Sequence, residues 1–260
     1  MQNAEFAVIG GTGVYDPALL ESAEEITIET PYGLAYATVG AYKGKRIAFM
    51  PRHGKEHNVP PHQINYKANI QALYQLGVKK IFTTAAVGSM RLSMPPGSLV
   101  IIDQFLDFTK SRPTTFYENG ERVAHVDMTD PYCVDLRHHL QKTAKDIGIP
   151  VIFGGTYACA EGPRFETPAE IRMYERLGGD VVGMTSVPET VLAKERGMCY
   201  ATVAMVTNFS AGMTASPLSH QEVLDEMAKN VHLVRKLFFE AIATLGTEQT
   251  CHCQSAIGVI

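Results

Sequence analysis

The sequence has no tryptophan, only five cysteines and no block of like charge. Cys133, Cys159, Cys199, Cys251 and Cys253 are too few and too scattered for the disulfide framework of a small secreted domain. The net charge is −4 with no basic run, which argues against nucleic acid or an anionic membrane as partner. Apolar runs reach only strand length, so no transmembrane helix is expected. The start, Met1 into "EFAVIGGTG", carries no basic leader or cleavage site, and the expected location is cytoplasmic. Repeats, low-complexity linkers and Pro/Gly-rich seams are also missing.

What remains is 260 residues, 45% hydrophobic and 19% charged, enough for a large buried core. Short β-rich runs alternate with helical patterns. The expected strands are "FAVIG", "AYATV", "RIAFM", "KIFTTAA", "SLVIID", "GGTYACA", "DVVGM" and "CYATVAMV". The expected helices include "INYKANIQALYQLG", "VDLRHHLQKTAKDIG", "PAEIRMYERLG" and "PETVLAKERG", most of them closing on a glycine. Such alternation with buried strands predicts an α/β fold, a parallel or mixed sheet, and one domain. Three helix starts, "TPAE", "SVPE" and "SHQE", read as capping boxes on Thr167/Glu170, Ser186/Glu189 and Ser219/Glu222. The last opens a long helix with apolar positions at Val223, Met227, Val231, Val234, Phe238 and Leu245.

Strand ends are where α/β proteins keep their ligands. "VIGGTGVYD" fails the dinucleotide fingerprint, because its third glycine would fall on Asp16. Its glycine turn beside Thr12 is either an anion-binding nest or a plain tight turn. "FMPRHGKEH" puts Arg52 and His53 after a strand, and arginine suits fork-like phosphate recognition. His53, His57 and His62 are not expected to bind metal, because Gly54, Pro60 and Pro61 break any shared helical face. Ala85 and Ala86 allow close backbone approach, and Thr185 offers a hydroxyl near a helix start. Glu166, beside Phe165, is a surface carboxylate or a buried one needing a partner. Asn208, at the end of the apolar run Tyr200–Val206, is a turn residue or a ligand. "CHC" near the C-terminus is a soft-metal pair, a strained local disulfide, or two thiols on a loose tail; no other Cys-x-x-Cys or His pair completes a tetrahedral set.

Taken in order, "VIGGTG", "RHGKEH", "NYKANIQAL", "VIIDQFLD", "EGPRFETPAE", "GMTSVPETVLAKE" and "MVTN" resemble the purine nucleoside phosphorylase and methylthioadenosine phosphorylase family. The resemblance covers a domain over residues 1–246 and leaves a tail, 247–260, outside. It implies a mixed sheet curled into a distorted barrel flanked by helices, and a homotrimer or homohexamer with active sites near subunit interfaces. The implied activity is that of a pentosyltransferase: phosphate attacks the ribosyl C1′ as the purine leaves, with no metal or organic cofactor. Carried over residue by residue, phosphate would meet Thr12, Arg52, His53, Ala85, Ala86 and Thr185. Many family members have a hydroxyl or amide where this chain has Ala85, so that contact is missing. Met184 would line the ribose, and His125 would reach in from the neighbouring subunit.

The residues that would read the base depart from the methylthioadenosine branch. Adenine-selective members carry aspartate at the positions of Asn208 and Ser210 and lack the glutamate of Glu166. Glu166 with Asn208 is the 6-oxopurine combination, and its chemistry agrees: N1–H of hypoxanthine or guanine donates to a carboxylate, whereas adenine N1 is itself an acceptor. Asn208, the implied catalytic residue alongside Arg52, would donate to N7 of the departing purine. His220, in "SHQEVL", replaces the apolar residue of methylthio-specific members and suits a 5′-hydroxyl. The resemblance therefore implies phosphorolysis of inosine and guanosine in purine salvage, with 5′-methylthioinosine or methylthioadenosine as the alternative substrate.

Overall fold

The computed structural model describes residues 3–11, 14, 19–56, 58–118, 120, 122–214, 220–246 and 250–259; the side chains of His220, Glu222 and Val259 are not among the described features. The chain alternates as expected. It runs β1 (Phe6–Gly10), β2 (Glu21–Thr30), β3 (Gly33–Tyr42), β4 (Lys45–Pro51), α1 (Tyr66–Gln75), β5 (Lys80–Ser89), β6 (Leu99–Ile101) and β7 (Gln104–Phe108). Then come β8 (Ala124–Val126), α2 (Val134–Asp146), β9 (Ile152–Phe153), β10 (Thr156–Ala160), α3 (Pro168–Arg176), β11 (Val181–Gly183) and α4 (Ser186–Glu195). The last elements are β12 (Cys199–Phe209), α5 (His220–Thr244) and β13 (Ile257–Val259).

Eleven described strands form one mixed sheet in the order β2-β3-β4-β1-β5-β11-β10-β7, with β12, β6 and β9 branching off β5. β5 is the branch point. It pairs in parallel with β1 and β12, and its last residues Gly88 and Ser89 also pair antiparallel with β11. Among the described residues this pairing is a branched path about β5, and the large mixed sheet flanked by helices is the expected one.

Strand alternation assigns the two faces of the sheet. Ala7 and Ile9, then Tyr200, Ala204 and Val206, pack with Ile70 and Leu73 of α1 and with Val187 and Leu192 of α4. Phe6, Val8, Ala201, Val203 and Met205 pack on the other side with Leu136 and Leu140 of α2 and Val234, Leu237 and Phe238 of α5. The sheet is thus covered on both faces, and the ligand end is left to the strand termini.

Five strands, β2, β7, β8, β9 and β13, are not among those expected from the sequence, and for two of them the physical reason is plain. β2, "ESAEEITIET", is an exposed edge strand whose glutamates keep it soluble and mask its alternation. β13 belongs to the segment expected as a tail; it pairs antiparallel with β8, placing Gly258 opposite His125. Residues 250–259 are therefore packed structure. No helix among the described residues is long and apolar enough to cross a membrane.

Candidate active site

The helix starts show how local sequence aims each strand end. Thr167 and Glu170 form the expected capping box, with Thr167 N donating to Glu170 Oε2 (2.7 Å) and Glu170 N to Thr167 Oγ1 (3.2 Å). "SVPE" does not. α4 begins at Ser186 with Thr185 as N-cap and no side-chain cap bond. Ser186 Oγ instead meets Tyr132 Oη at 2.9 Å, and Glu189 turns inward to other partners. Tertiary partners outcompete the local box here. The "SHQE" box on Ser219 and Glu222 lies outside the described features.

Glu189 is completely buried and receives Arg52 in fork geometry: Nε to Oε2 at 2.7 Å and an Nη2 hydrogen to Oε1 at 2.8 Å. Arg52 Nη1 donates to the Thr84 carbonyl at 2.8 Å, and Tyr200 Oη donates to Glu189 Oε1 at 2.7 Å. The sequence reading gives the arginine fork to phosphate; the structure gives it to a carboxylate 137 residues away. Of the five guanidinium N–H groups, two remain for an anion. His53 is held by a 2.9 Å hydrogen bond between Nδ1 and the Val59 carbonyl. Of the three histidines considered for metal, His57 lies outside the described residues.

These strand ends open on one cavity of about 670 Å³. Its lining includes Gly11, Arg52, His53, Ala85, Ala86 and Thr185, and also Phe165, Glu166, Met184, Asn208 and Ser210. Thr12 lies outside the described residues, as does the side chain of His220. His125 is exposed on β8 and does not line the cavity.

Asn208 reaches the cavity through a fault in strand pairing. β12 and β5 stay in register to Val206↔Val87, then resume at Asn208↔Gly88, skipping Thr207. A bulge of this kind re-aims side chains, so consecutive residues Thr207 and Asn208 both face the cavity, which strict alternation forbids. Asn208 is 5% exposed; its Nδ2 donates to the Phe209 carbonyl (2.9 Å), and its Oδ1 accepts from Thr207 Oγ1 (2.8 Å). Because a carbonyl only accepts, the amide is fixed in this orientation, with one N–H left to donate.

Two other oxygens are poised without partners. Glu166 Oε1 and Ser210 Oγ are both buried, and neither has a hydrogen-bond partner among the described residues. A buried unpaired polar atom is costly, and a ligand that satisfies it recovers that cost. Burial away from water also pushes the Glu166 carboxyl above its usual range. A carboxyl held higher in the folded chain than in the unfolded one favours folding while protonated. That advantage fades as pH rises from the unfolded pKa, about 4.3, through the raised folded value. Glu166→Gln should therefore melt at a higher temperature than the parent above that window, with the gap closing at lower pH. Calorimetry of both proteins across pH checks this, and a constant gap would refute the burial effect.

Residues 5–243 match the phosphorylase superfamily. The chain belongs to that superfamily. It is 54% identical over 252 residues to a probable 6-oxopurine nucleoside phosphorylase of Dictyoglomus turgidum, covering 96% of this chain and 95% of the relative. It is 53% identical to the 6-oxopurine nucleoside phosphorylase of Pyrococcus furiosus, covering 96% and 97% of the two chains. Its fold superposes on a methylthioadenosine phosphorylase from an antarctic soil metagenomic library with a TM-score of 0.91 at 35% identity, covering 98% and 91%.

In this phosphorylase-superfamily chain, several cavity-forming residues carry no motif of their own. A Cβ at Gly88 would stand 2.8 Å from Ser210 Oγ and 3.1 Å from Asn208 Nδ2, so only glycine leaves both side chains in place. Arg112 donates through Nη1 to the Met184 carbonyl (2.9 Å) and to Tyr66 Oη (3.0 Å), fastening the turn before α4. Val223, Leu224, Met227 and Val231 of α5 wall the cavity; their helical spacing predicts an apolar helix face without saying what it borders.

Proposed function

We propose that this chain is a purine nucleoside phosphorylase acting on 6-oxopurine nucleosides, inosine and guanosine, in purine salvage. The observation that carries the reading is the chemistry of the base end: Glu166 Oε1 is buried without a partner in the same cavity as an Asn208 amide with one N–H to spare. A 6-oxopurine supplies what both lack, N1–H for the carboxylate and N7 for the amide. Adenine would set N1 against Glu166 acceptor to acceptor, and a site built on such bonds can reject the mismatch by about 10⁴-fold or more. The names of the relatives support the same base class.

In the proposed reaction phosphate sits against Gly11, His53, Ala85, Ala86 and Thr185. The Thr185 hydroxyl is spared from capping, and the first turn of α4 favours an anion. Arg52 contributes its two remaining N–H groups from a fixed position, with much of its charge balanced by Glu189. Met184 lies along the ribose. As the glycosidic bond breaks, negative charge gathers on the purine, and the Asn208 N–H stabilises it more in the transition state than in the ground state. Phosphate is a co-substrate, and no metal or organic cofactor takes part. The proposed protein is cytoplasmic and a homotrimer or homohexamer; exposure of His125 on the β8–β13 ribbon is consistent with its service to a neighbouring subunit.

A second substrate is favoured by one observation. The α5 wall of Val223, Leu224, Met227 and Val231 is apolar and would accept a 5′-methylthio group, which makes 5′-methylthioinosine the runner-up. A substrate panel with and without phosphate decides. Phosphate-dependent loss of inosine and guanosine with little turnover of methylthioadenosine is expected. Preferred turnover of methylthioadenosine, or cleavage without phosphate, would overturn the reading.

A further inference from the structure

Four of the five cysteines, Cys133, Cys199, Cys251 and Cys253, are brought together by the fold. Cys133 is the N-cap of α2 and makes no side-chain cap bond. Cys199 opens β12, and the Cys133 N–H donates to the Tyr200 carbonyl at 2.8 Å, so the two cysteines are held side by side. Cys251 and Cys253 arrive from the end of the chain. Their approach is set by Asp135 in the first turn of α2, whose carboxylate accepts from Thr250 N (2.7 Å), Thr250 Oγ1 (2.8 Å) and Cys251 N (2.9 Å). The spacing of "CHC" offered two ligands and no completing pair in sequence; the fold supplies that pair from residues 133 and 199.

All four Sγ atoms lie within 4.8 Å of one another, and the Cys199 and Cys251 sulfurs are 3.5 Å apart. A disulfide needs about 2.05 Å. Four thiolates around zinc, each about 2.3 Å from the metal, stand about 3.8 Å apart along the edges of the tetrahedron. The 3.5 Å pair and the 4.8 Å upper limit bracket the second arrangement. Cys133, Cys199 and Cys253 are buried and Cys251 is half-buried, and Cys133 is the N-cap of α2, the helix end that favours negative charge. We propose that Cys133, Cys199, Cys251 and Cys253 form a structural zinc site that ties the C-terminal segment to α2 and β12.

Four sulfur ligands leave no open position for substrate or water, so the site is structural, and soft thiolates select zinc over magnesium or calcium. Binding releases the thiol protons and leaves a Zn(Cys)₄ unit of charge −2. Its consequence reaches β13, the strand that follows directly and pairs with β8.

The test uses the full chain, purified under reducing conditions. Elemental analysis should find one zinc per chain that survives passage through EDTA and gel filtration. Cobalt(II) added to stripped, reduced protein should give thiolate-to-cobalt charge transfer and the visible bands of a tetrahedral sulfur site. Cys253→Ser should weaken cobalt binding at least tenfold, whereas Cys159→Ala, which alters a buried cysteine of β10 outside the cluster, should leave it unchanged. Stripping the metal should speed hydrogen exchange in residues 250–259. Three outcomes would overturn the proposal: zinc far below one per chain together with no cobalt spectrum on the intact protein; an intact mass lower by the hydrogens of cysteine pairs joined as disulfides under the same reducing conditions; or cobalt binding unaltered by Cys253→Ser.

Discussion

Replacing Glu189 with alanine lowers the unfolding free energy by about 3–5 kcal/mol, the cost of leaving one partner of a buried ion pair uncompensated. The size of the effect follows from the surroundings. Arg52 is 4% exposed and Glu189 0%, and the carboxylate is the acceptor for both the guanidinium fork and Tyr200 Oη. Without it a full positive charge is stranded between β4 and α4, beside the Thr84 carbonyl. Tyr200→Phe removes a single hydrogen bond to the same carboxylate and should cost only about 1.5–3 kcal/mol. Glu189→Gln keeps the shape while removing the charge, so it should fall between wild type and the alanine variant. Urea denaturation of the three variants measures the series. A loss below about 1 kcal/mol for Glu189→Ala would mean that water reaches the guanidinium and that the pair is not what fixes Arg52.

The second large effect is on rate. Asn208→Ala should reduce kcat for inosine by about 10²–10³-fold, the usual result of deleting one donor aimed at developing negative charge. Its structural cost should be modest, about 1 kcal/mol, because Thr207 Oγ1 keeps the Val87 carbonyl at 3.3 Å as an alternative partner. A drop in kcat much larger than any change in KM separates a role in the transition state from one in binding. Asn208→Asp asks a different question. The Phe209 carbonyl that now accepts from Nδ2 would face a carboxylate oxygen, so the aspartate must hold a proton to sit there. That single proton is held by the Phe209 carbonyl, so no donor is left for N7 and turnover of inosine should fall. The carboxyl can otherwise only accept, as from a 6-amino group, and preference should move toward 6-aminopurine nucleosides. Unchanged kcat on inosine in Asn208→Ala would exclude the proposed role.

Much of this site is legible in residue types and little of it in residue partners. Asn208 stands out because an amide follows an apolar run, Glu166 because a carboxylate sits beside Phe165, and Ser210 only through the family resemblance, and all three meet in one cavity. That Glu166 Oε1 and Ser210 Oγ lack partners depends on what the fold leaves around them, which no local pattern encodes. Arg52 was assigned to an anion on its chemistry, and Glu189 to a helix cap on its spacing. Each assignment is sound locally, yet the two side chains satisfy each other across 137 positions. Gly88 carried no signal at all, since its role is the space it leaves beside Asn208 at the end of β12 and Ser210 just after it.

By itself, the sequence determined the α/β alternation, the Thr167 capping box and the set of polar groups at the strand ends. These rest on periodicity and on hydrogen bonds within a few residues, where backbone geometry alone dictates the outcome. Tertiary structure decided what depends on strand order and pairing register. The Thr207 bulge turned Asn208 into the cavity, Glu189 left its helix cap for a buried cation, and "CHC" met Cys133 and Cys199. The physical reason is the same in each case. A buried charge, amide or thiol takes whichever partner the packed elements bring within reach, and chain separation does not limit that choice.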